Sequence, residues 1–144
     1  MLNKLRAEAL ALIAATPHCT LSTLGPAGVQ ASVVECLVRE DCVYVLVPST
    51  ADHLFNLEHE LEIVLTSPLW QLRGAALDLS EFDGPHGAAP FEISAQARNI
   101  GYTLIEVFPL RMHLEPAGGR RYRETIDFSV HVSDTSRRRI TSAD

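Results

Sequence analysis

The chain begins with a hydrophobic spacing typical of an amphipathic helix. Apolar residues recur at intervals of three or four positions, at Leu2, Leu5, Ala9, Leu12 and Ile13. This spacing places them on one face, so we predict a first helix within residues 1–15. Lys4 and Arg6 followed by the apolar residues 9–15 also resemble a signal peptide, but Glu8 interrupts that pattern and the apolar stretch is short.

After Pro17 the pattern changes to the alternation of apolar and polar positions that is typical of strands with one polar face. Glycine-rich residues 25–28 and the pair Glu40–Asp41 indicate turns. Near Val33–Val34 the apolar positions change phase, which predicts a bulge or burial on both faces. The pattern therefore predicts an antiparallel meander of three strands, at residues 19–24, 29–38 and 42–47.

The region after Pro48 predicts a second helix and two more strands. Residues 49–52 have a capping-box pattern, so we expect a helix from Thr50 to about His59. Its predicted inward-facing residues are Leu54, Phe55 and Leu57. Strands are predicted at residues 62–66 and 69–79, and Gly74 inside the second of these indicates a bulge or a close approach of another group.

The rest of the chain adds a third helix, between Pro90 and Gly101, and two strands, of which the first contains Pro109 and must lie at an edge or kink there. The predicted elements are a loop (80–89), a helix (90–100), a strand (102–114), a hairpin turn (116–119), a strand (121–128) and a tail (130–144). Closing the strands into a barrel removes exposed edges. The predicted fold class is mainly β (α+β): one domain over residues 1–144, a six- to seven-stranded antiparallel β-barrel with flanking helices.

The composition limits the classes of molecule that the protein can bind. The 144 residues are 47% hydrophobic and 21% charged, which fits one globular domain rather than a disordered or fibrous chain. The formal net charge is −6, which argues against a general nucleic-acid binder and against binding to an anionic membrane surface. Cys19, Cys36 and Cys42 lack zinc-site spacing and lie in apolar stretches, which favours buried thiols in a cytoplasmic protein.

The sequence contains no common hydrolase or phosphate-loop motif. Its six histidines are scattered, so we predict no metal site, and no residue is identified as a general acid or base. The best physical candidate is the stretch Ser49 to Asn56, where hydroxyls and helix N–H groups suit a phosphate. The alternative, which these residues alone favour, is a well-capped helix, since Asp52 already supplies negative charge.

Two further groups of charged residues stand out. Glu35 interrupts an apolar strand, where it faces solvent or pairs with an arginine across a dimer contact. An arginine set near the last hairpin suits anions or intersubunit salt bridges, although a solvated face is the default for such a set. Its members are Arg111, Arg120, Arg121 and Arg123.

The order of these pieces resembles the pyridoxamine 5'-phosphate oxidase-like, FMN-binding split-barrel superfamily. The similarity covers about residues 5–80 and continues more weakly to Phe128. An ordered set of stretches carries it rather than a single motif. These stretches are residues 19–28, 43–47, 53–57, 63–65 and 70–76.

The resemblance implies a six-stranded split barrel that forms a homodimer with FMN, its small-molecule ligand, at the dimer interface. In that family the second strand lies along the flavin ring, the third strand and following helix hold the phosphate, and the fifth strand faces the site. The residues so implied are Ser32, Val33 and Val34 at the ring, Ser49, Thr50, His53 and Asn56 at the phosphate, and Gln71 and Arg73 on the fifth strand.

The chain departs from the family pattern where FMN-binding members carry basic residues. Asp52 and His53 stand where an Arg or Lys is typical, and Val33 replaces a basic residue often found on the second strand. A phosphate would then depend on hydroxyls, helix N–H groups and an arginine from the other subunit. Because charge-assisted hydrogen bonds are about twice as strong as neutral ones, we expect a lower affinity for FMN.

Residues 51–57 also resemble the haem-utilisation branch of the same superfamily, whose members bind or degrade haem. Three hypotheses follow from the resemblance. The first is a dimeric, cytoplasmic FMN-dependent oxidoreductase of unknown substrate. The second is a non-catalytic module that binds haem or flavin, and the third is a structural dimer without ligand. The departure at Asp52–His53 supports the second and third, and nicotinamide or deazaflavin cofactors remain open.

Overall fold

The computed structural model describes residues 2–78, 101–116 and 123–128. These residues form two helices and seven strands. In chain order they are α1 (Leu2–Ala14), β1 (His18–Gly25), β2 (Gly28–Arg39), β3 (Cys42–Pro48), α2 (Asp52–Leu57), β4 (Glu62–Thr66), β5 (Trp70–Asp78), β6 (Tyr102–Leu114) and β7 (Glu124–Asp127).

The strands form one antiparallel sheet in the order β3-β2-β1-β4-β5-β6-β7. An additional pairing of β3 with β6 closes the first six strands into a barrel and leaves β7 outside the ring. The predicted mainly β antiparallel barrel is confirmed. The predicted loop at 80–89, the helix at 90–100, the tail at 130–144 and most of the hairpin turn at 116–119 lie outside the described residues.

The phase change near Val33 has a different cause from the predicted bulge. The register of β1 with β2 runs without a shift from Gly25 opposite Gly28 to His18 opposite Glu35, so the bulge prediction was wrong. Instead, β3 pairs only with residues 35–39 of β2. Among the described residues, the first half of β2 therefore has β1 on one side and an open edge on the other.

The predicted irregularity at Gly74 is confirmed. Gly74 lies opposite Pro109 while Arg73 lies opposite Arg111, so Leu110 is an extra residue on β6. A Cβ added at Gly74 would lie 2.8 Å from the carbonyl oxygen of Phe108, which explains why glycine is required there. The bulge falls where β6 changes its second partner from β3 to β7, which is where Pro109 predicts a kink.

The barrel interior is filled by the inward-facing residues of its strands, and α1 packs against it. Ala9 and Ile13 of α1 are fully buried, as the helical spacing predicts. The indole Nε1 of buried Trp70 donates a hydrogen bond of 3.2 Å to Thr16 Oγ1, which fixes the end of α1 to β5. Neither described helix is long and apolar enough to cross a membrane.

Candidate functional site

The second helix differs from its prediction at its start and on its buried face. It begins at Asp52 rather than Thr50, and its N-cap residue, Ala51, makes no side-chain capping bond, so the predicted capping box was wrong. Phe55 is 48% exposed instead of facing inward. Two polar residues, His53 and Asn56, take the buried positions together with Leu57.

His53 is buried because both of its ring nitrogens find partners on the β1–β2 hairpin. Its Nδ1 lies 2.8 Å from Thr23 Oγ1 and its Nε2 lies 2.7 Å from Ser32 Oγ. Burial lowers the pKa of His53 below its ordinary value of 6.5, and the charge of Asp52 only partly opposes this. The ring is therefore neutral at pH 7, with one nitrogen as donor and the other as acceptor.

Asn56 is fully buried and every polar atom of its amide is used. The backbone N–H of Ala27 donates to Oδ1 at 2.9 Å, and Nδ2 donates to the carbonyl of Gly28 at 2.9 Å and to Thr23 Oγ1 at 3.1 Å. This amide fixes α2 against the β1–β2 turn. Asn56 and His53, which the resemblance implies as phosphate ligands, thus make internal hydrogen bonds.

Thr23 connects the two buried polar residues of α2, and it was not among the residues predicted for the site. Its side chain is 3% exposed and bonds to both His53 and Asn56. The signal was present in the strand pattern: Cys19 and Leu21 occupy the inward positions of β1, and Thr23 is the next position in that phase. A polar residue at an inward-facing position of a strand indicates that a hydrogen-bond partner is buried beside it.

Two of the phosphate ligands that the resemblance implies lie on the connection from β3 to α2, and both are accessible to solvent. Ser49 and Thr50 are exposed, and Ser49 Oγ bonds to Thr103 Oγ1 at 2.9 Å. No Arg or Lys occurs in residues 48–60. A cleft of about 550 Å³ adjoins this connection, lined by Ser49, Leu54, Leu57, Glu58, Leu61, Ala76, Leu77, Asp78 and Thr103.

The residues implied at the flavin ring fall on different sides of β2. Ser32 faces His53, and Val33 is 69% exposed on the opposite, outer face of the strand. Val34 is 3% exposed and packs in the core, so its side chain does not reach a ligand.

The two fifth-strand candidates share the outer face with Val33. The register places Val33, Thr20, Thr66 and Gln71 in one row across four strands. Arg73, two residues further along β5, is exposed on that face, and its Nε forms an ion pair with Glu62 at 3.2 Å. The structure therefore brings Val33, Gln71 and Arg73 to one surface, and Ser32, His53 and Asn56 to another.

The remaining charged candidates are exposed. Glu35 lies on the surface of β2. Arg111 is exposed on β6, and Arg123 pairs with Glu115 at 3.2 Å. Arg120 and Arg121 lie outside the described residues. No group of metal-binding side chains occurs in the described part of the chain, whose three cysteines are free.

A second buried polar group was not predicted from the sequence. Glu106 on β6 is 4% exposed, and its Oε1 has no hydrogen-bond partner within the described segments. Burial raises the pKa of Glu106, and a hydrogen bond with the thiol of Cys42 opposes this. Glu106 interrupts an apolar run, and only the pairing of β6 with both β3 and β5 reveals that its side chain is enclosed.

Known proteins resemble this chain in structure rather than in sequence. No protein-family model matches the chain, and no curated protein matches it. A haem-binding protein from Mycobacterium smegmatis is 22% identical with a TM-score of 0.63; the match covers 89% of this chain and 60% of that one. The chain thus spans about three fifths of that protein's length.

Shorter proteins match over most of their length. A putative pyridoxamine 5'-phosphate oxidase from Listeria innocua is 10% identical with a TM-score of 0.57, over 76% of this chain and 97% of that one. A Clostridium acetobutylicum protein of the pyridoxinephosphate oxidase family, related to general stress protein 26, is 12% identical with a TM-score of 0.60, over 88% and 96%. The chain therefore has the split-barrel fold that these proteins share.

Proposed function

We propose that this protein is an FMN-binding, oxidoreductase-type split-barrel protein that acts as a cytoplasmic homodimer on a substrate not yet identified. Bound FMN would supply hydride or electron transfer, and the chain would bind and orient it. The observation that carries the proposal is the uncovered first half of β2, which combines exposed apolar side chains with an open strand edge.

This part of β2 suits a flat ring with a polar rim. The N–H of Cys36 donates to Pro17 on the β1 side. Since successive N–H groups alternate between the two sides of a strand, those of Val29, Ala31 and Val33 point to the open edge. They are donors for the polar rim of a flavin, while the exposed side chains of Val29 and Val33 offer apolar contact to its face.

The same surface supports the proposed homodimer. Leu24 is 60% exposed, Val29 is 75% exposed and Val33 is 69% exposed, and the three lie together on the β1–β2 hairpin. Adjacent exposed apolar residues on a small domain favour an interaction site. A second copy placed over this hairpin would cover the apolar residues and enclose a ring between the two subunits.

The phosphate end fits FMN less closely than the ring end. Ser49 and Thr50 offer hydroxyls, but the first charged residue after them, Asp52 at the start of α2, is acidic, and residues 48–60 contain no Arg or Lys. We therefore expect the ring to provide most of the affinity, so that riboflavin binds nearly as well as FMN.

Haem is the alternative ligand, but the geometry of His53 does not favour it. This is the histidine to which the haem-utilisation resemblance points. It is 3% exposed and both of its ring nitrogens are hydrogen bonded, so neither is free to bind iron.

The test is the absorption spectrum of the purified protein, followed by titration of ligand-free protein with FMN, riboflavin and haem. V33D should weaken FMN and riboflavin alike, because Val33 is assigned to the face of the ring. E35Q changes an exposed residue on the same face of β2, so it is the matched control and should change neither affinity. The double variant S49A/T50A should weaken FMN but not riboflavin. Failure of both flavins to bind, or binding of haem alone, would overturn the proposal.

A further inference from the structure

A serine, a histidine and a threonine form a continuous hydrogen-bonded chain that ligand binding does not explain. Ser32 is exposed on β2, and its Oγ lies 2.7 Å from Nε2 of buried His53. The opposite ring nitrogen lies 2.8 Å from Thr23 Oγ1. These are the contacts by which a base holds a nucleophile and a third group holds the base.

We propose that Ser32 is a nucleophile for acyl transfer, with His53 as its general base, and that this site cleaves small activated esters. The proposal goes beyond the flavin function and does not rest on it.

The ring of His53 is held in the state that a general base needs. It is enclosed at 3% exposure, which disfavours the charged imidazolium. When Nδ1–H donates to Thr23, Nε2 carries the free lone pair and accepts the Ser32 proton. Asn56 donates to the Thr23 hydroxyl, so the threonine is fixed in position. Asp52, the residue before His53, is negatively charged, and it supports the positive charge that develops on the ring.

The open edge of β2 supplies a donor beside the serine. The N–H of Val33, the residue after Ser32, points to the side of the strand that no described strand covers. In acyl-transfer sites the backbone N–H that follows the nucleophile commonly stabilises the oxyanion. The N–H of Ala31 points to the same edge, so two donors flank the nucleophile.

The reaction balances without a cofactor. Ser32 Oγ bonds to the ester carbonyl carbon while its proton moves to His53 Nε2. The bond to the leaving alkoxide or phenolate then breaks, and His53 returns the proton to that oxygen. Water then attacks the acyl-serine while His53 Nε2 takes its proton. As the acyl–Oγ bond breaks, His53 gives that proton to Ser32 Oγ and the carboxylic acid leaves, so the net reaction is hydrolysis of one ester by one water.

The experiment uses the full-length, flavin-free protein. It is treated with a fluorophosphonate probe, and the modified residue is mapped by peptide mass spectrometry; release of p-nitrophenol from p-nitrophenyl acetate is measured in parallel. We expect modification at Ser32 and its loss in S32A. The matched control is S22A, which removes a serine of neighbouring β1 that bonds to no histidine within the described residues, and it should leave labelling unchanged.

His53→Gln should slow labelling at least about 100-fold, the lower range for loss of a general base. Because His53 is buried, circular dichroism is used to check that the H53Q variant folds. If H53Q does not fold, T23V, which removes only the partner of Nδ1, should reduce the labelling rate instead. Absence of modification at Ser32, or unchanged labelling in folded H53Q, would overturn the proposal. The N–H groups of Ala31 and Val33 are also the ones assigned to the flavin, so bound flavin would block this site, and the flavin-free protein is therefore used. Since no step uses FMN, labelling of that protein at Ser32 does not depend on whether flavin binds.

Discussion

Gly25 lies against Asn56 so closely that a Cβ at position 25 would sit 2.7 Å from Asn56 Oδ1 and 3.0 Å from its Cα. The amide of Asn56 can approach the β1–β2 turn only because position 25 has no side chain. The contact fixes α2 on the hairpin that carries both proposed activities.

Gly25→Ala should therefore destabilise the protein by about 1–3 kcal/mol, the usual cost of overpacking a tight contact. The matched control is Gly28→Ala in the same turn, where a Cβ meets nothing within 4 Å but φ is +82°. That variant should lose only about 1 kcal/mol of folding stability, from backbone strain. Urea unfolding measures both changes, and an equal or smaller loss in G25A would contradict the packing argument.

Removal of the Asn56 side chain tests the same connection from the helix side. N56A would remove a fully buried amide and leave the buried Thr23 hydroxyl without its amide partner, together with the Ala27 N–H and the Gly28 carbonyl at the part-buried turn. We expect a loss of about 2–4 kcal/mol, since unpaired buried groups each cost about 1–3 kcal/mol.

The control for N56A is Q30A. The Gln30 side chain donates a single hydrogen bond to the carbonyl of Ala27, in the same turn but at a half-buried position. It should cost about 0.5–1.5 kcal/mol. If thermal unfolding shows Q30A to be as damaging as N56A, the amide of Asn56 does not organise the turn as described.

His53 should make the stability of the protein depend on pH. Its folded-state pKa lies below the ordinary value of 6.5, so the unfolded chain binds a proton first as the pH falls. Stability is therefore fully present above about pH 6.5 and falls as the pH decreases through 6.5 toward the lowered pKa of the folded state. H53Q should be less stable at pH 8, because it loses a buried partner, and should show a flatter pH dependence.

The measurement for His53 is the urea midpoint between pH 5 and pH 8 for the wild type, H53Q and H59Q. His59 is exposed at the end of the same segment and serves as the control. A wild-type profile that stays flat across this range, or an H59Q profile that flattens as H53Q should, would contradict the assignment.

The sequence predicted the barrel because strand order and alternation are local properties. The strands, the turn at Glu40–Asp41 and the bulge at Gly74 all follow from patterns within a few residues. At Glu40 and Asp41 the backbone has φ of 52° and 65°, which suits a two-residue hairpin turn.

The candidate site was predicted less well because its contacts join distant segments. Hydrophobicity alone predicted that Phe55 of α2 faces the core. Instead, His53 and Asn56 face inward, because their hydrogen-bond partners lie on β1 and β2. Thr23 is 30 residues from His53, so no local pattern indicates that they bond. The open strand edge beside Val33 likewise depends on where β3 ends. The alternation of apolar and polar residues along β2 does not show how far β3 extends.

Glu106 should oppose stability at neutral pH. Its folded-state pKa is raised above the ordinary 4.5 by burial, so the folded protein retains a proton that the unfolded chain has released. The stability that this proton contributes is fully present below pH 4.5 and is lost as the pH rises through the raised pKa of the folded state. E106Q keeps the shape of the side chain without the charge, so it should be more stable than the wild type at pH 7.5 by about 1–3 kcal/mol, because an unpaired buried group costs more when it is charged than when it is neutral.

The same comparison at pH 4 should show little difference, because both side chains are then neutral. E35Q is the control, since Glu35 is exposed on β2 and its charge is solvated. Urea unfolding of the three proteins at pH 4, 5.5 and 7.5 measures the effect. A lower stability of E106Q at pH 7.5 would mean that the ionised carboxylate is stabilised in the fold, and that its unpartnered Oε1 does not carry the cost inferred from its burial.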